Sequence, residues 1–235
     1  MTTRSTLPAL AVIPAAIPAD IEALRQPLND VAVKLGLALS AEQAGLLIGF
    51  VGLLRRWNLT YNLTSVREPA AMLSQHVADC LAVIEPLRRN GLGSARRRVL
   101  DVGSGGGLPG VMIAVMNAQV EVMCVDAVGK KAAFVRQVAA ELGLPNLRSK
   151  HSRVEELAEG GFDVVVSRAF GSLGDFVTMT RRHLAPDGVW MAMKGKAPGA
   201  EVLSLPADVV VFHVEQLHVP GLDAERRLVW MAPNR

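Results

Sequence analysis

The chain has 235 residues, of which 50% are hydrophobic and 20% charged, with a formal net charge of +3 and a pI of about 9.1. This composition excludes an intrinsically disordered chain, and the length suffices for one large domain or for a domain with an extension. No segment is long and apolar enough to predict a membrane span, and the mild positive charge permits a polyanionic partner without requiring one. Cys80 and Cys124 lack metal-ligand spacing, so we expect buried free thiols in a reducing compartment and no metal site.

The first segment is an apolar leader interrupted by prolines. Residues 7–19 are apolar, as in a signal peptide, but Pro8, Pro14 and Pro18 interrupt any helical core there. We therefore predict a disordered leader over residues 1–20.

Residues 21–95 are predicted to form a helical N-terminal extension. Pro27 is an expected break or kink in its first helix. Ser40 and Gln43 form a capping box that predicts the start of a second helix. Apolar residues recur at helical spacing over residues 21–35, 44–54 and 69–87.

Residues 96–235 alternate between strand and helix patterns. Such alternation predicts an α/β fold, a mostly parallel seven-stranded sheet with helices on both faces and a ligand at the carboxyl ends of the strands. A turn containing Pro220 and Gly221 joins the last two strands and predicts an antiparallel terminal hairpin. The predicted strands are 99–102, 120–125, 147–150, 163–167, 189–194, 209–219 and 227–231, and the predicted helices are 108–116, 130–142, 154–158 and 173–183.

The most informative segment is RVLDVGSGGGLPG, residues 98–110, in which an apolar strand pattern ends in a glycine-dense turn and a helix start. Glycine lets the backbone take φ > 0 and approach a ligand closely. Gly105, Gly107 and Gly110 match the dinucleotide pattern G-x-G-x-x-G. A carboxylate at Asp101 would repel a pyrophosphate, but it would attract the cationic amino end of S-adenosylmethionine (SAM). The position of Asp101 ahead of the glycines therefore favours a SAM-binding loop. The alternatives are a dinucleotide-binding loop and a glycine-rich turn that binds no ligand.

Asp126 ends the next apolar strand. A βαβ unit places a carboxylate at this distance to bind ribose hydroxyls, and the alternative role is an N-cap for the following helix. Both cofactor classes use such a carboxylate, so Asp126 does not separate them. Arg168 and Lys194 also lie at or just past predicted strand ends, and so on the same edge of the sheet.

Several short motifs are spread along the chain. They are WN (57–58) with YNLTS (61–65), His76-x-x-Asp79, DVGSGGGLPG (101–110), SRVEE (152–156), SRAF (167–170) and KG (194–195). With these motifs the chain resembles, from about Ser40 onward, the RsmG (GidB) family of small-subunit ribosomal RNA methyltransferases. The resemblance implies a class I SAM-methyltransferase domain over residues 96–235, SAM as the cofactor, and methyl transfer to N7 of a guanine in the decoding-region (530) loop of 16S rRNA.

The resemblance also implies which residues contact the cofactor. The chain departs from the family pattern at Cys80, where serine is more common, and at Ala224, where glycine is common in the terminal hairpin. The implied contacts are Gly103, Leu108, Asp126, Ala127, Val154, Glu155 and Arg168, to which the loop itself adds Asp101 and Gly105.

Guanine N7 has a lone pair and no proton, so its methylation needs no general base, and we assign no catalytic residue.

Several polar residues are candidates for RNA contact, and each has an alternative role. Arg168 can instead form an ion pair, Lys194 and Lys196 can be solvated lysines, and the polar residues of the extension can form a cluster that ties it to the sheet. Arginines at 55, 56, 88, 89, 96, 97 and 98 form either a solvated face or a footprint for the RNA backbone. The candidate RNA contacts are Asn62, Thr64, His76, Arg168, Lys194 and Lys196.

These inferences define a cytoplasmic, monomeric, SAM-dependent rRNA methyltransferase. Its expected partner is 16S rRNA or the small ribosomal subunit, and no membrane partner is expected. Two other functions remain open at this point: an NAD-dependent oxidoreductase, and a ribosome-assembly factor that binds RNA without catalysis.

Overall fold

The computed structural model describes residues 17–90, 97–168 and 170–234. Most of the predicted leader lies outside the described residues. The described part of the chain begins its first helix at Ala19, two residues ahead of the predicted extension.

Seven strands form one sheet in the described residues, with the order β3-β2-β1-β4-β5-β7-β6. The first five strands are parallel to one another, and β7 is antiparallel to both β5 and β6. The predicted parallel sheet and terminal hairpin are therefore confirmed. The strands are β1 Arg98–Val102, β2 Glu121–Asp126, β3 Leu147–His151, β4 Phe162–Ser167, β5 Leu184–Lys194, β6 Val209–Leu217 and β7 Arg226–Pro233.

Ten α-helical segments accompany this sheet in the described ranges, and none of them is long and apolar enough to cross a bilayer. A π-helical segment, Leu73–Ala78, joins α4 to α5, and 3₁₀ turns lie at Val154–Glu156 and Arg181–His183. The helices are α1 Ala19–Glu22, α2 Arg25–Lys34, α3 Ala41–Tyr61, α4 Pro69–Met72, α5 Asp79–Leu81, α6 Ile84–Asn90, α7 Gly110–Met116, α8 Gly129–Glu141, α9 Leu173–Thr180 and α10 Gly199–Leu203.

The predicted capping box starts α3. The Ser40 hydroxyl accepts the backbone N–H of Gln43 at 3.0 Å, and the Gln43 side chain accepts the Ser40 N–H at 3.0 Å. The break in the first helical pattern comes just before Arg25, so Pro27 is the third residue of α2. Pro27 is tolerated there because the first N–H groups of a helix have no intrahelical partner.

Two sequence expectations need correction. The helix predicted over 154–158 is only the turn Val154–Glu156, because the backbone becomes extended at Leu157, whose side chain is fully buried in the core. The helical pattern over 69–87 is interrupted after Leu81, and α6 starts at Ile84.

Alternating residues of the strands divide the core between the two faces of the sheet. Val164 and Val166 face a cluster shared with the N-terminal extension, α7 and α8, whereas Val165 faces a cluster shared with α9. The buried indoles follow the same division, with Trp230 on the first face and Trp190 on the second. The extension therefore covers one face of the sheet and brings its polar residues to the carboxyl ends of the strands.

Candidate cofactor and substrate site

The glycine loop joins β1 to α7 at the carboxyl edge of the sheet. Gly103, Gly105 and Gly107 take φ of 64°, 57° and 79°, a region that L side chains rarely adopt. A Cβ at Gly103 or Gly105 would meet nothing within 4 Å, whereas one at Gly107 would lie 2.6 Å from Cγ2 of Val111. The first two glycines therefore leave open space over the backbone, and the third allows close packing of the helix.

The Asp126 carboxylate holds this loop in place. Its Oδ2 accepts the Gly105 N–H at 2.9 Å, and its Oδ1 accepts the Val128 N–H at 2.8 Å. The Val125 carbonyl accepts the Gly103 N–H at 2.9 Å. Carboxylate oxygens have more than one lone pair each, so Asp126 retains capacity for a ligand hydroxyl.

Asp101 lies behind the loop and is fully buried. Its Oδ2 accepts the Gly110 N–H at 2.8 Å, and its Oδ1 has no partner among the described residues. Burial raises the pKa of Asp101 to about 7, although the Gly110 N–H and the Arg168 charge oppose that shift. Asp101 does not line the cavity, and its contact with a cofactor amino group stays a prediction.

A cavity of about 180 Å³ opens over the loop. A larger groove of about 810 Å³ lies between α1, α3 and the end of α8, but none of its lining residues belongs to the glycine loop. We place the site in the smaller cavity because its wall combines open glycine backbone with hydrogen-bonding side chains. That wall comprises Leu54, Leu63, Thr64, His76, Gly103–Gly106, Leu108, Lys131 and Arg168.

Thr64 and His76 form a polar pair on the side of the cavity that the extension supplies. The Thr64 hydroxyl lies 2.8 Å from Nε2 of His76, and the buried Nδ1 of His76 has no partner among the described residues. Burial and then the Arg168 charge lower the pKa of His76, so its ring is neutral at pH 7. The Asn58 amide fixes this segment by accepting the Thr64 N–H at 2.9 Å and donating to the Val66 carbonyl at 3.1 Å. Sequence reasoning placed Asn58 in a motif without assigning this role to it.

Arg168 lines the cavity after β4 and contacts the extension. Its Nη1 donates to the Gln75 carbonyl and to Oδ2 of Asp79, each at 3.3 Å. Oδ1 of Asp79 accepts Nε of Arg226 at 2.7 Å, so one buried carboxylate serves two arginines. Sequence reasoning did not find Arg226, because it lies 147 residues from Asp79 and has no motif around it.

The other predicted cofactor residues lie along the same edge. Leu108 lines the cavity, and Ala127 follows β2 with its carbonyl 3.1 Å from Nε2 of His151. Val154 is buried and Glu155 is exposed in the turn after β3. Ala127, Val154 and Glu155 are not in the cavity lining, so their contact with a cofactor stays a prediction; the sequence missed Lys131, which lines the cavity from the start of α8.

The remaining RNA candidates lie outside that cavity. Asn62 is exposed and caps α3 with a φ of 47°. Lys194 pairs with Glu201 at 2.8 Å and its side chain is only 15% exposed, whereas Lys196 is exposed. Lys194 therefore has an ion-pair role that the sequence did not reveal.

In the basic stretches, the arginines that the structure describes all lie near acidic side chains. Arg55, Arg56, Arg89 and Arg97 contact acidic residues on other elements, namely Asp20, Glu141, Glu215 and Asp163. Arg88 pairs with Glu85, Arg98 lies 3.8 Å from Glu121, and Arg96 lies outside the described residues. These exposed ion pairs are weak, so the RNA footprint considered for these arginines stays a prediction.

Both cysteines are buried and free, as predicted, and burial raises the pKa of each thiol.

Solved structures share this arrangement of sheet and helices. TrmN from Thermus thermophilus superposes with a TM-score of 0.55 at 18% identity, covering 68% of this chain and 53% of that protein. A SAM-dependent methyltransferase from Aquifex aeolicus gives 0.52 at 16% identity, covering 68% and 92%. The fold, with its glycine loop after β1 and its antiparallel β7, is that of the class I SAM-dependent methyltransferases.

Sequence comparison defines the family within this class. The GidB family model, described as rRNA small subunit methyltransferase G, matches residues 43–229. Ribosomal RNA small subunit methyltransferase G of Leptothrix cholodnii is 60% identical over 200 residues, covering 85% of this chain and 91% of that protein. The protein of the same name from Methylibium petroleiphilum is 57% identical over 214 residues, covering 91% and 96%. The chain belongs to the GidB family, and neither an NAD-dependent oxidoreductase nor a non-catalytic factor is favoured.

Proposed function

We propose that this chain transfers the methyl group of SAM to N7 of a guanine in the decoding-region (530) loop of 16S rRNA. The observation that carries the proposal is the cavity over the glycine loop. Its wall contains both the glycine backbone that follows β1 and polar side chains of the extension. Cofactor and substrate groups can approach each other there, at the carboxyl edge of a parallel sheet.

The residues of the loop fit this cofactor. SAM supplies, when bound, an electrophilic methyl group on a positively charged sulfur. Gly103 and Gly105 leave the space that a nucleoside needs, since no atom would contact a Cβ at either position. Asp126 is placed to accept ribose hydroxyls, and Leu108, Ala127, Val154 and Glu155 are the proposed further contacts. Arg168 offers a planar donor fork to an anionic group.

The substrate side of the cavity requires orientation rather than proton transfer. Guanine N7 carries no proton, so the protein must align the base and exclude water. The neutral ring of His76 and the Thr64 hydroxyl offer hydrogen bonds without adding a positive charge beside the cationic cofactor. We propose both as contacts to the RNA, together with Asn62 at the end of α3.

The RNA backbone is proposed to contact the exposed edge near Lys196. Lys194 is held by Glu201, so we assign the phosphate contact to Lys196. The protein is proposed to act as a monomer in the cytoplasm, where its ribosomal substrate is assembled.

Methyl transfer to rRNA is the direct test. Purified protein with methyl-labelled SAM and 30S subunits, taken from cells that lack this methylation, should incorporate label at one guanine located by mass spectrometry. No incorporation into 30S subunits or free 16S rRNA would contradict the proposal. Binding of 30S subunits without incorporation would instead identify an assembly factor.

A pair of glycine variants gives the matched control. Gly103→Ala forces alanine to a φ of +64° in the loop and should abolish incorporation. Gly199→Ala makes the same change in α10, where a Cβ meets nothing within 4 Å, and should leave incorporation unchanged.

A further inference from the structure

A cluster of two arginines and one aspartate joins three distant parts of the chain beside the cavity. Asp79 comes from the extension, Arg168 follows β4, and Arg226 begins β7 in the terminal hairpin. The Asp79 side chain is only 3% exposed, and the arginine side chains are 26% and 24% exposed. Charges this far removed from water require partners, so their pairing is tightly constrained.

The two arginines contact the shared carboxylate unequally. Nε of Arg226 lies 2.7 Å from Oδ1 of Asp79, a distance typical of a strong charge-assisted hydrogen bond. Nη1 of Arg168 lies 3.3 Å from Oδ2, at the long end of the range. Arg226 is therefore the principal counter-charge of Asp79, and Arg168 is held more loosely.

Two positive charges and one negative charge leave this contact cluster with an excess positive charge. Arg168 is the member that lines the cavity. Both of its hydrogen bonds found in the described ranges start at Nη1, which leaves the rest of its donor fork for another acceptor. The nearby Asp101 also influences Arg168 electrostatically, but no hydrogen bond joins them. An anionic group in the cavity would offset the excess charge.

We infer that Arg226 is a positioning residue for cofactor binding, which acts by neutralising Asp79 and so keeps Arg168 available to the carboxylate of the cofactor's methionine end. This inference rests on the proposed function. Without Arg226, Asp79 has Arg168 as its only arginine partner in the cluster. The guanidinium then moves toward Asp79 and withdraws from the cavity.

Binding measurements on the full chain test this inference. S-adenosylhomocysteine carries the carboxylate, whereas 5′-methylthioadenosine has the same nucleoside without the amino-acid end. Arg226→Met should weaken S-adenosylhomocysteine binding about tenfold, which is the loss of one moderate charge-assisted contact. It should leave methylthioadenosine binding unchanged, because the contacts proposed for the nucleoside are Asp126 and the glycine loop and do not include Arg168.

Suppression by a second substitution separates positioning from a purely structural role. Asp79→Asn in the Arg226→Met background removes the carboxylate that captures Arg168, so S-adenosylhomocysteine binding should recover to within about threefold of the wild type. Arg89→Met is the matched control, since Arg89 pairs with Glu215 on β6 of the same hairpin and is 61% exposed. It should bind both ligands as the wild type does.

Each outcome is decisive. Equal loss of both ligands in Arg226→Met, or unchanged S-adenosylhomocysteine binding, overturns the inference. Unchanged cofactor binding with a raised KM for 30S subunits would identify an RNA phosphate as the anion and overturn the assignment to the carboxylate. A wild-type protein that binds neither ligand contradicts the proposed function itself.

Discussion

Gly110 provides a sharp test of how the glycine loop is packed. A Cβ at this first residue of α7 would lie 2.5 Å from Sγ of Cys124 and 2.8 Å from Oδ2 of Asp101. Both neighbours are fully buried and belong to strands in the middle of the sheet, so neither can move aside easily. Gly110→Ala must therefore displace the start of α7 and stretch the bond from its N–H to Asp101.

The cost follows from these contacts. Overpacking costs about 1–3 kcal/mol, and weakening the hydrogen bond to the partly ionised Asp101 costs about 0.5–3 kcal/mol. The better helix propensity of alanine returns about 1 kcal/mol. We expect the free energy of unfolding in urea to fall by about 3 kcal/mol at pH 7, with S-adenosylhomocysteine binding weakened because the loop moves.

Gly106→Ala is the matched control in the same loop. A Cβ there would lie 3.6 Å from Cδ1 of Leu54, an ordinary van der Waals contact, so stability should change by less than about 1 kcal/mol. Adding Cys124→Ala to Gly110→Ala removes one of the two clashes and should restore part of the loss. Equal unfolding midpoints for Gly110→Ala and Gly106→Ala would refute the reasoning.

Three further predictions concern charged side chains. The pKa of Asp101 is about 7 in the folded protein against an ordinary 3.8, so the wild type loses stability as the pH rises from about 4 to 7. Asp101→Asn lacks this titration. Its stability relative to the wild type, measured from urea midpoints, should therefore improve between about pH 5 and pH 8. Asp126→Ala removes the carboxylate that accepts a loop amide and should abolish S-adenosylhomocysteine binding in calorimetry, while folded circular dichroism is retained. Lys196→Met should lower the salt slope of 30S binding by about 1, whereas Lys194→Met should leave that slope unchanged because Glu201 already neutralises this lysine.

Local sequence patterns identified most of the fold. Strand and helix periods, the capping box at Ser40, and the glycine turn each depend on residues close together in the chain. For that reason the seven strands, the terminal hairpin and the loop position agree with the prediction. The helix expected over 154–158 was wrong, because burial of Leu157 with an extended backbone ends the turn after Glu156.

Local patterns also identified the edge on which the site lies. Gly103, Leu108 and Arg168 line one cavity, as their positions after strands suggested. The family motifs brought Thr64 and His76 into consideration, although no local rule predicts that they bond to each other.

Only the tertiary structure decided how the charges are paired. Asp79 contacts Arg168 and Arg226, which lie 89 and 147 residues away in the sequence. Lys194 forms an ion pair with Glu201, although the sequence suggested a lysine available at the edge of the sheet. The sequence determined which elements form and where the glycine loop lies, because these follow from interactions between neighbours. It did not determine which charges remain available to a ligand, because that depends on burial and on partners that only the folded sheet brings within a few ångströms.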